Sequence, residues 1–494
     1  MREIQVYNSL SRQKEIFKPI NEAFVGMYVC GPTVYSDAHL GNCRTYTSFD
    51  VIYRYLLYSG YKVRYVRNIT DVGHLLDDGE DRMLKGAKKL NLEPMEVAQK
   101  YANGFHQMMD DLNTLKPDIE PRATGHILEQ IEMVQAIMDN GLGYEANGSV
   151  YFDVEKFSKD TDHYGKLSGR IVDELLTETR DLKNQSDKRH PADFAIWMKA
   201  APEHIMKWNS PWSVGFPGWH LECSAMSTKY LGTAFDIHGG GNDLKFPHHE
   251  NEIAQNIGAC NCSPANYWLH TNMLLMNGKK MSKSEGNSVM PYELFEGTND
   301  LLSEAYSPMV TKFFMLQSHY RSTLDLTDQA LQAAKKGYKR LMQANKLLQG
   351  MSTTGNNNSS PINEEIKTSI AAAFADMDDD FNTPKALSRL FEVVPRINSW
   401  AEAKEDINQV SQETLLHLQI SFKALIFDIF GLLDDQEEGG NTGVVDGLMD
   451  LILDLRQNAR ANKDWTTADT IRAKMKELEI VVKDGKEGTT WNLS

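Results

Sequence analysis

The sequence lacks the features that mark secreted and membrane proteins. It begins MREIQVYNSL, which has no basic stretch followed by an apolar core and so argues against a signal peptide. No apolar run approaches the roughly 20 residues that a membrane-spanning helix needs. Five cysteines in 494 residues, an odd and sparse number, argue against a disulfide framework. We therefore expect a cytoplasmic protein with no membrane partner, in which some cysteines remain available for metal binding or reaction.

Positive charge is also scarce. The chain has 52 Lys and Arg against 68 Asp and Glu, for a net charge of −16, and this balance does not by itself indicate a nucleic-acid partner. Any RNA contact must come from local basic patches. One such patch lies near the C terminus and contains Arg456, Arg460, Lys463, Arg472, Lys474 and Lys476.

A chain of this length requires several domains. Near the N terminus we predict a buried strand at Phe24–Val29, a helix over about 44–58 that ends near Gly60, and a strand at Lys62–Ile69. Strand, helix and strand within about 45 residues predict an α/β fold with a Rossmann-type, doubly wound parallel sheet. Ligands bind beyond the carboxyl ends of such strands, where residues 30–42 would lie.

The rest of the chain divides by composition. Strand signals return at Ala234–His238 and Trp268–Met276, and an apolar helix face begins at about residue 328. An acidic, Gly-rich run at 434–443 is typical of a linker. The predicted parts are 1–140, the first half of the Rossmann-type domain; 141–215, a charged, irregular connective insertion; 216–325, the second half of that domain; 326–435, a helical bundle; and 436–494, a small C-terminal module.

Two short motifs could handle phosphates. In HLGN (39–42), His39 could donate to a phosphate, and Gly41 would let the phosphate approach a helix N-terminus. In KMSKS (280–284), Lys280 and Lys283 stand on a Gly-flanked loop and suit a polyphosphate clamp. Taken alone, a motif like the first is more often a plain loop, and one like the second is more often a solvated basic turn.

The pair HLGN and KMSKS resembles the signature motifs of class I aminoacyl-tRNA synthetases. Other blocks are similar to the cysteinyl-tRNA synthetase family within that class. They are NITD (68–71), PRAT (121–124), PADFAIW (191–197), GWHLECSAM (218–226), FDIHGGGNDLKFPHHENEIAQ (235–255), DDDFNTPKAL (378–387) and ADTIRAKMKELEIVVKDGKEGTTW (468–491). The resemblance covers essentially the whole chain.

A metal centre can be argued from residue types. Cys30 and Cys223, with His248 and Glu252 one helical turn apart, make a sound zinc ligand set, although buried cysteines are often inert. The resemblance implies that these four residues bind one Zn²⁺, with Cys30 also near the substrate. It assigns no role to Cys43, Cys260 or Cys262, which we interpret as incidental.

The resemblance also implies the remaining site and the reaction. Thr70 and Trp219 would face L-cysteine, and His220 would lie near it. ATP, bound with Mg²⁺, would contact His39, Gly41, Gly239, Gly240, Gly241, Asp243 and Lys283, and the catalytic residues would be His39, Asn42, Lys280 and Lys283. ATP, L-cysteine and tRNA(Cys) would give cysteinyl-tRNA(Cys), AMP and diphosphate through a cysteinyl-adenylate. The bundle would contact the tRNA, the C-terminal module would read its anticodon, with Trp465 and Trp491 as possible stacking residues, and the enzyme would be a monomer.

Two positions depart from the family pattern, and two other functions remain to be weighed. Asn42 stands where the first motif usually ends in His, and Phe216 stands where a basic residue is more usual. One alternative is a cysteine ligase that acts on an amino sugar, which would not need an RNA-reading tail. The other is an inactive RNA-binding paralogue, which should have lost its metal ligands or its lysine loop.

Overall fold

The computed structural model describes residues 2–72, 86–87, 90–161, 163–170, 187–282, 286–356, 360–435, 448–449, 451–460, 462, 464–478, 480–485 and 488–493. The chain forms two compact units, Met1–Leu432 and Leu433–Ser494, which we describe separately. None of the helices in the described residues is both long enough and apolar enough to cross a membrane.

The strands and helices are numbered in chain order. The strands are β1 (Gln5–Asn8), β2 (Gln13–Ile16), β3 (Val25–Val29), β4 (Val63–Arg67), β5 (Gly143–Ala146), β6 (Ser149–Phe152), β7 (Phe194–Lys199), β8 (Trp208–Asn209), β9 (Val214–Pro217), β10 (Phe235–Gly241), β11 (Ala265–Thr271), β12 (Leu274–Met276), β13 (Lys279–Lys280), β14 (Leu324–Leu326), β15 (Ile480–Gly485) and β16 (Gly488–Leu493). The helices are α1 (Leu40–Tyr58), α2 (Pro94–Asp111), α3 (Ile127–Asp139), α4 (Val154–Thr161), α5 (Trp219–Leu231), α6 (His248–Cys260), α7 (Pro291–Glu296), α8 (Pro308–Leu316), α9 (Asp328–Gln349), α10 (Pro361–Asp378), α11 (Thr383–Ala401), α12 (Gln412–Lys423) and α13 (Trp465–Glu477).

The larger unit is built around a parallel sheet with strand order β11-β10-β3-β4. The chain winds outwards from β3 in both directions, so the predicted α/β, doubly wound fold is confirmed. Burial of all five residues of β3 suits a central parallel strand covered on both faces. The order reverses between β3 and β10, and the crevice at their carboxyl ends is where such sheets bind ligands.

Two local predictions change in detail. Helix α1 begins at Leu40, earlier than predicted, because the His39 side chain caps its first turn. The predicted strand at Trp268–Met276 is two strands, β11 and β12. The break comes at Asn272, whose N–H donates to the carbonyl of Tyr320 outside the parallel sheet. Strand β12 instead joins a three-stranded sheet with order β13-β12-β14.

The insertion is more regular than the sequence suggested. It contains an antiparallel sheet with order β5-β6-β7-β9-β8. Strand β6 is buried at all four positions, so it has no alternating pattern that would mark it in the sequence. Because its strands are short and separated by charged turns, a sheet of this kind is difficult to predict from the sequence pattern.

The predicted helical region runs from α9 to α12 and continues in a π-helical segment, Ala424–Ile429. The apolar face expected on α9 is confirmed, because Leu331, Ala334, Tyr338, Leu341 and Leu348 are all buried. Most of the predicted linker at 434–443 lies outside the described residues.

The C-terminal unit contains helical residues 451–460, α13 and an antiparallel hairpin of β15 and β16. Its small core includes Met449, Leu453 and Met475. Trp465 is 58% exposed and remains available for stacking, whereas the side chain of Trp491 lies outside the described part of the chain.

A buried charge network joins α1 to α8. Asp50 accepts hydrogen bonds from Arg54 and from Lys312, both at 2.9 Å. Lys312, fully buried, also donates to the carbonyls of Leu112 and Asn113 at 2.9 and 3.1 Å. Burial lowers the pKa of Lys312, and the nearby Asp50 opposes that shift. One carboxylate therefore compensates two buried cations.

Asp50→Asn should destabilise the fold far more than Lys312→Met. The first change leaves two buried cations without their shared anion, which costs about 3–5 kcal/mol. The second leaves the Asp50–Arg54 pair intact and replaces a buried ammonium with a side chain of similar length. Thermal melting of the two variants beside the parent chain tests this, and equal losses of Tm would contradict it.

Candidate active site and metal centre

The carboxyl ends of β3, β4 and β10 bring three of the predicted segments together. Cys30 follows β3, and its N–H donates to the carbonyl of Gly239 in β10 at 3.0 Å. Thr70 follows β4, and its N–H donates to the carbonyl of Pro32 at 3.0 Å. Gly31 is required between them, because a Cβ there would lie 1.5 Å from the carbonyl oxygen of Asn68. Close approach of the backbones thus sets the position of Cys30.

The four predicted zinc ligands converge. The ligand atoms of Cys30, Cys223, His248 and Glu252 all lie within 4.8 Å of one another, and all four residues are buried. Cys30 comes from the end of β3, Cys223 from α5, and His248 and Glu252 from successive turns of α6. Only the packing of both helices against the sheet edge assembles this set.

The spacing of the donors fits a tetrahedral zinc ion. Zinc–ligand distances of about 2.3 Å to sulfur and 2.1 Å to oxygen put two sulfurs about 3.8 Å apart, and a sulfur and an oxygen about 3.6 Å apart. The Cys30 and Cys223 sulfurs are 3.7 Å apart, and Cys30 Sγ lies 3.6 Å from Glu252 Oε1. His248 Nε2 is 3.1 Å from the same oxygen. Two thiols, an imidazole and a carboxylate at these distances suit Zn²⁺.

The charges of the cluster also suit a cation. Burial by itself would lower the pKa of His248, but Glu252 and Cys223 raise it to about 10. Burial would raise the pKa of Glu252, but His238 and His248 lower it to about 2. The site therefore favours positive charge on His248 beside an ionised carboxylate. A divalent cation among the same anions would take the place of that proton.

Three histidines to which the sequence analysis gave no role lie around the cluster. His238 Nε2 lies 2.8 Å from Glu252 Oε2, and His249 Nε2 lies 3.3 Å from Cys30 Sγ. His249 Nδ1 pairs with His270 Nε2 at 2.8 Å, and His270 Nδ1 pairs with Ser9 Oγ at 2.8 Å. Such outer contacts orient the ligands of a metal site. The available signals were the adjacent pair HH (248–249) and the strand motif DIH (236–238).

These histidines create an overlapping donor set. Cys30, His238, His249 and Glu252 also bring their donor atoms within 4.8 Å of one another. Burial, together with the neighbouring histidines, lowers the pKa of His249 well below its usual value. Burial likewise lowers the pKa of His270 to about 3. His249, which lies against Cys30, and His270, which pairs with His249, are therefore neutral imidazoles.

The predicted amino-acid contacts lie beside the cluster. His220 Nδ1 is 2.9 Å from His248 Nδ1, and the Trp219 ring centroid is 4.6 Å from that of His248. Trp219 is 37% exposed, so one part of the indole packs on His248 while another part faces solvent. Thr70 is buried, and its hydroxyl accepts a hydrogen bond from Asn68 Nδ2 at 3.0 Å. The Asn68 carboxamide oxygen lies 3.7 Å from Cys223 Sγ.

At the N terminus of α1, His39 and Asn42 form a reciprocal cap. The Asn42 N–H donates to His39 Nδ1 at 3.3 Å, and Asn42 Oδ1 accepts from the His39 N–H at 3.0 Å. Gly41 lets the imidazole fold over this turn, because a Cβ there would lie 2.9 Å from the ring. Asn42, which differs from the family pattern, thus has a structural role, and its side-chain nitrogen Nδ2 takes no part in this cap.

The glycines at the end of β10 leave room for neighbouring side chains to pack, in addition to their predicted role in binding adenosine. A Cβ at Gly239 would lie 2.2 Å from the Phe49 ring, and one at Gly240 would lie 2.9 Å from the His249 ring. At Gly241 a Cβ would lie 2.3 Å from the exposed Asp243 carboxylate. Close packing by itself therefore explains two of the three glycines.

Several other predicted positions have defined surroundings. Lys280 is exposed on β13, whereas Lys283 lies outside the described residues. Phe216 is buried in β9 with its ring 5.0 Å from that of His204, so this departure from the family pattern is a core residue. Cys260 and Cys262 form a disulfide, which corrects our interpretation of both as incidental thiols. Cys43 is a free, buried thiol 3.2 Å from Met108 Sδ.

Cys223→Ser should remove most of the bound zinc, and Cys43→Ser should not. Zinc favours thiolate sulfur over a neutral hydroxyl, so the first change removes one of four ligands. Cys43 is an equally buried thiol outside the cluster and makes a matched control. Zinc content per chain, measured by elemental analysis after dialysis, is expected to fall from about one to a small fraction in Cys223→Ser alone. An equal loss in both variants would contradict the site.

Comparison with known families agrees with this geometry. Residues 16–336 match the model for the class I (C) tRNA synthetase catalytic domain, 374–434 match a DALR domain, and 449–491 match the cysteinyl-tRNA ligase anticodon binding domain. The cysteine–tRNA ligase of Bacteroides thetaiotaomicron is 52% identical, covering 100% of this chain and 99% of that protein. The cysteine–tRNA ligase of Deinococcus radiodurans is 46% identical, covering 99% and 96%.

A solved structure extends the likeness to the fold. Methionyl-tRNA synthetase of Mycobacterium tuberculosis, in complex with methionyl-adenylate, aligns with a TM-score of 0.59 at 14% sequence identity, covering 85% of this chain and 97% of that one. At this identity the likeness speaks for the fold alone. The full-length relatives and the matched domains carry the assignment: this chain belongs to the cysteine–tRNA ligases, a family of class I aminoacyl-tRNA synthetases.

Proposed function

We propose that the chain makes cysteinyl-tRNA(Cys) in two steps, with zinc held by Cys30, Cys223, His248 and Glu252 selecting the substrate thiol. In the first step the cysteine carboxylate attacks the α-phosphorus of Mg-ATP, which gives cysteinyl-adenylate and diphosphate. In the second step the 2′-hydroxyl of the terminal tRNA ribose attacks the adenylate carbonyl. The observation that carries the proposal is the buried four-donor cluster at the carboxyl edge of the sheet.

The selection problem explains why a metal is useful here. Cysteine and serine differ by one atom, and ordinary contacts separate such close analogues by only about 10²-fold. When bound, zinc favours a thiolate ligand strongly over a neutral hydroxyl. Trp219 and Thr70 would border the amino acid, and His220 would hold His248 in place through their 2.9 Å contact.

The phosphate end is proposed for His39, Gly41, Asn42, Lys280 and Lys283. The N terminus of α1 supports this, because its first turn contains no acidic residue and its dipole attracts anions. His39 is exposed at that turn, and the side-chain nitrogen Nδ2 of Asn42 could donate to an oxygen of ATP. Lys280 and Lys283 would stabilise charge that develops on the leaving diphosphate, with Mg²⁺ bound to ATP.

Adenosine binding is proposed for the backbone of Gly239, Gly240 and Gly241 and for Asp243. The exposed carboxylate of Asp243 lies against Gly241 at the switch point of the sheet, and carboxylates suit ribose hydroxyls. No general base is assigned, because positioning and electrostatics can supply most of the reduction in barrier.

The tRNA is proposed to use the helical region and the C-terminal unit. The match of 449–491 to an anticodon binding domain supports anticodon reading there, since unpaired bases are where RNA sequence is legible. This unit also argues against a ligase that acts on an amino sugar. The presence and convergence of all four metal ligands argues against an inactive paralogue. The proposal has the chain act as a cytoplasmic monomer on ATP, L-cysteine and tRNA(Cys).

The first test is ATP–diphosphate exchange with cysteine or serine, before and after zinc chelation. We expect exchange that requires cysteine, is negligible with serine, and is lost on chelation and restored by added Zn²⁺. Aminoacylation of tRNA(Cys) should follow the same pattern. Exchange that persists in protein shown to be free of zinc would contradict the role of the metal.

A second test separates two neighbouring lysines. Lys280→Ala should slow diphosphate exchange by about 10²-fold, because it removes a charge that acts mainly on the transition state. Lys279→Ala is the control, since both residues are exposed on β13 and successive side chains of a strand point to opposite faces. Equal losses in kcat for the two variants would show that the hairpin needs only general positive charge.

A further inference from the structure

Arg44 is a buried cation on the helix that carries His39 and Asn42 at its start. It is 1% exposed. Its Nε donates to the carbonyl of Asn272 at 3.2 Å, and its Nη2 donates to the carbonyls of His319 and Ser322 at 3.1 and 2.6 Å. Nη2 also lies 3.5 Å from Ser318 Oγ. One guanidinium thus binds two segments that are far apart in sequence.

Those two segments lead directly into the lysine-bearing sheet. Asn272 precedes β12, which pairs antiparallel with β13 and its Lys279 and Lys280. Ser322 precedes β14, which pairs parallel with the other side of β12. The segments also bond to each other, since the Asn272 N–H donates to Tyr320 O at 2.8 Å and Asn272 Nδ2 donates to Arg321 O at 2.9 Å. Arg44 therefore holds the base of the three-stranded sheet.

The chemistry of this contact requires arginine. Within the described residues no carboxylate forms an ion pair with Arg44, and burial lowers its pKa to about 10. A buried cation without an anion is costly, so it persists only where its hydrogen bonds are good. The planar fork of the guanidinium reaches carbonyls that diverge, which a lysine ammonium on a flexible stem cannot match.

The far side of the same loop is anchored independently. Asp380, fully buried at the junction of α10 and α11, accepts from Tyr320 Oη at 2.7 Å and from Arg321 Nε at 2.7 Å. The loop 319–322 is thus bound by Arg44 of α1 and, separately, by Asp380 of the helical region. Loss of Arg44 should shift the sheet base without releasing the whole loop.

We propose that Arg44 is a positioning residue for adenylate formation, which sets the place of the β12–β13 hairpin, and with it Lys280, relative to His39 and Asn42. The inference rests on the proposed role of the hairpin in binding the phosphates of ATP. A single rigid helix carries one side of the phosphate site at its N terminus and fixes the base of the other side through Arg44. Arg44 itself need not contact substrate.

The experiment compares Arg44→Lys with Arg54→Lys in diphosphate exchange. Both residues are buried on α1 and donate to backbone carbonyls, but Arg54 binds Asp50 and the Asn113 carbonyl instead of the hairpin base. Arg44→Lys should lower kcat by roughly 10- to 10²-fold, the size expected when reacting groups are misplaced by about 1 Å. Zinc content and the KM for cysteine should stay at the parent values. Arg54→Lys should lower the Tm and leave kcat unchanged.

The decisive readout is a double-mutant cycle with Lys280→Ala. If Arg44 acts through Lys280, adding Arg44→Lys to the Lys280→Ala enzyme should cost less than about threefold. A full, multiplicative loss in the double variant overturns the inference. If Lys280→Ala alone has no effect, the proposed function of the hairpin fails, and the inference about Arg44 fails with it. This outcome differs from a multiplicative loss in the double variant, which would overturn the inference about Arg44 alone.

A second variant covers the case in which Arg44→Lys does not fold. Asn272→Ala keeps Arg44 and removes the Asn272 Nδ2 bond that ties the two segments together. It should show the same split, with kcat lowered, the KM for cysteine unchanged, and little further loss in the Lys280→Ala background. Normal kcat in Asn272→Ala would overturn the inference.

Discussion

The structure depends on burying a charged, sulfur-containing cluster at the open edge of a parallel sheet. Glu252 is almost fully buried, and an isolated carboxylate there would be prohibitively costly. It is retained because His248 and His238 both lie against it, and because two thiols complete a donor set that suits a divalent cation. The close passage of the Gly31 backbone beside Asn68, and the packing of α5 and α6 on the sheet, serve this arrangement.

Around the cluster, polar side chains form a series of contacts that runs from one residue to the next and ends at a serine. His249 is held by His270, and His270 by Ser9, which belongs to the turn between β1 and β2. The glycines that end β10 leave room for Phe49 and His249, so their small size has a packing reason besides the proposed binding of adenosine. Burial and the proximity of other histidines disfavour the charged forms of His249 and His270, which is why these two side chains remain neutral in the interior.

The proposed phosphate-binding side of the site is organised by one helix. Helix α1 offers its capped N terminus, with His39 and Asn42 bonded to each other, and binds the base of the lysine hairpin through Arg44 further along. Asp50, on the same helix, accepts hydrogen bonds from Arg54 and from Lys312 of α8, and so connects the two helices. A rigid element that carries several contacts can keep two separate loops at a defined spacing, which suits chemistry that depends on positioning more than on covalent catalysis.

The motifs that carry the family resemblance are short and contiguous in the chain, so the fold class and the family could be predicted from the sequence. The same resemblance implied that Cys30, Cys223, His248 and Glu252 bind zinc, and the structure brings these four distant residues together. HLGN, the paired histidines and KMSKS are each a few contiguous residues, so they can be recognised in the sequence alone. The strands around them have apolar patterns that can also be read directly. Only the tertiary structure revealed the shell of His238, His249 and His270, the five-stranded sheet of the insertion, and the contacts of Arg44 and Asp380. Each of these joins residues that are distant in the chain or lack periodicity. Their partners are chosen by how helices pack on the sheet, and no local pattern encodes that choice.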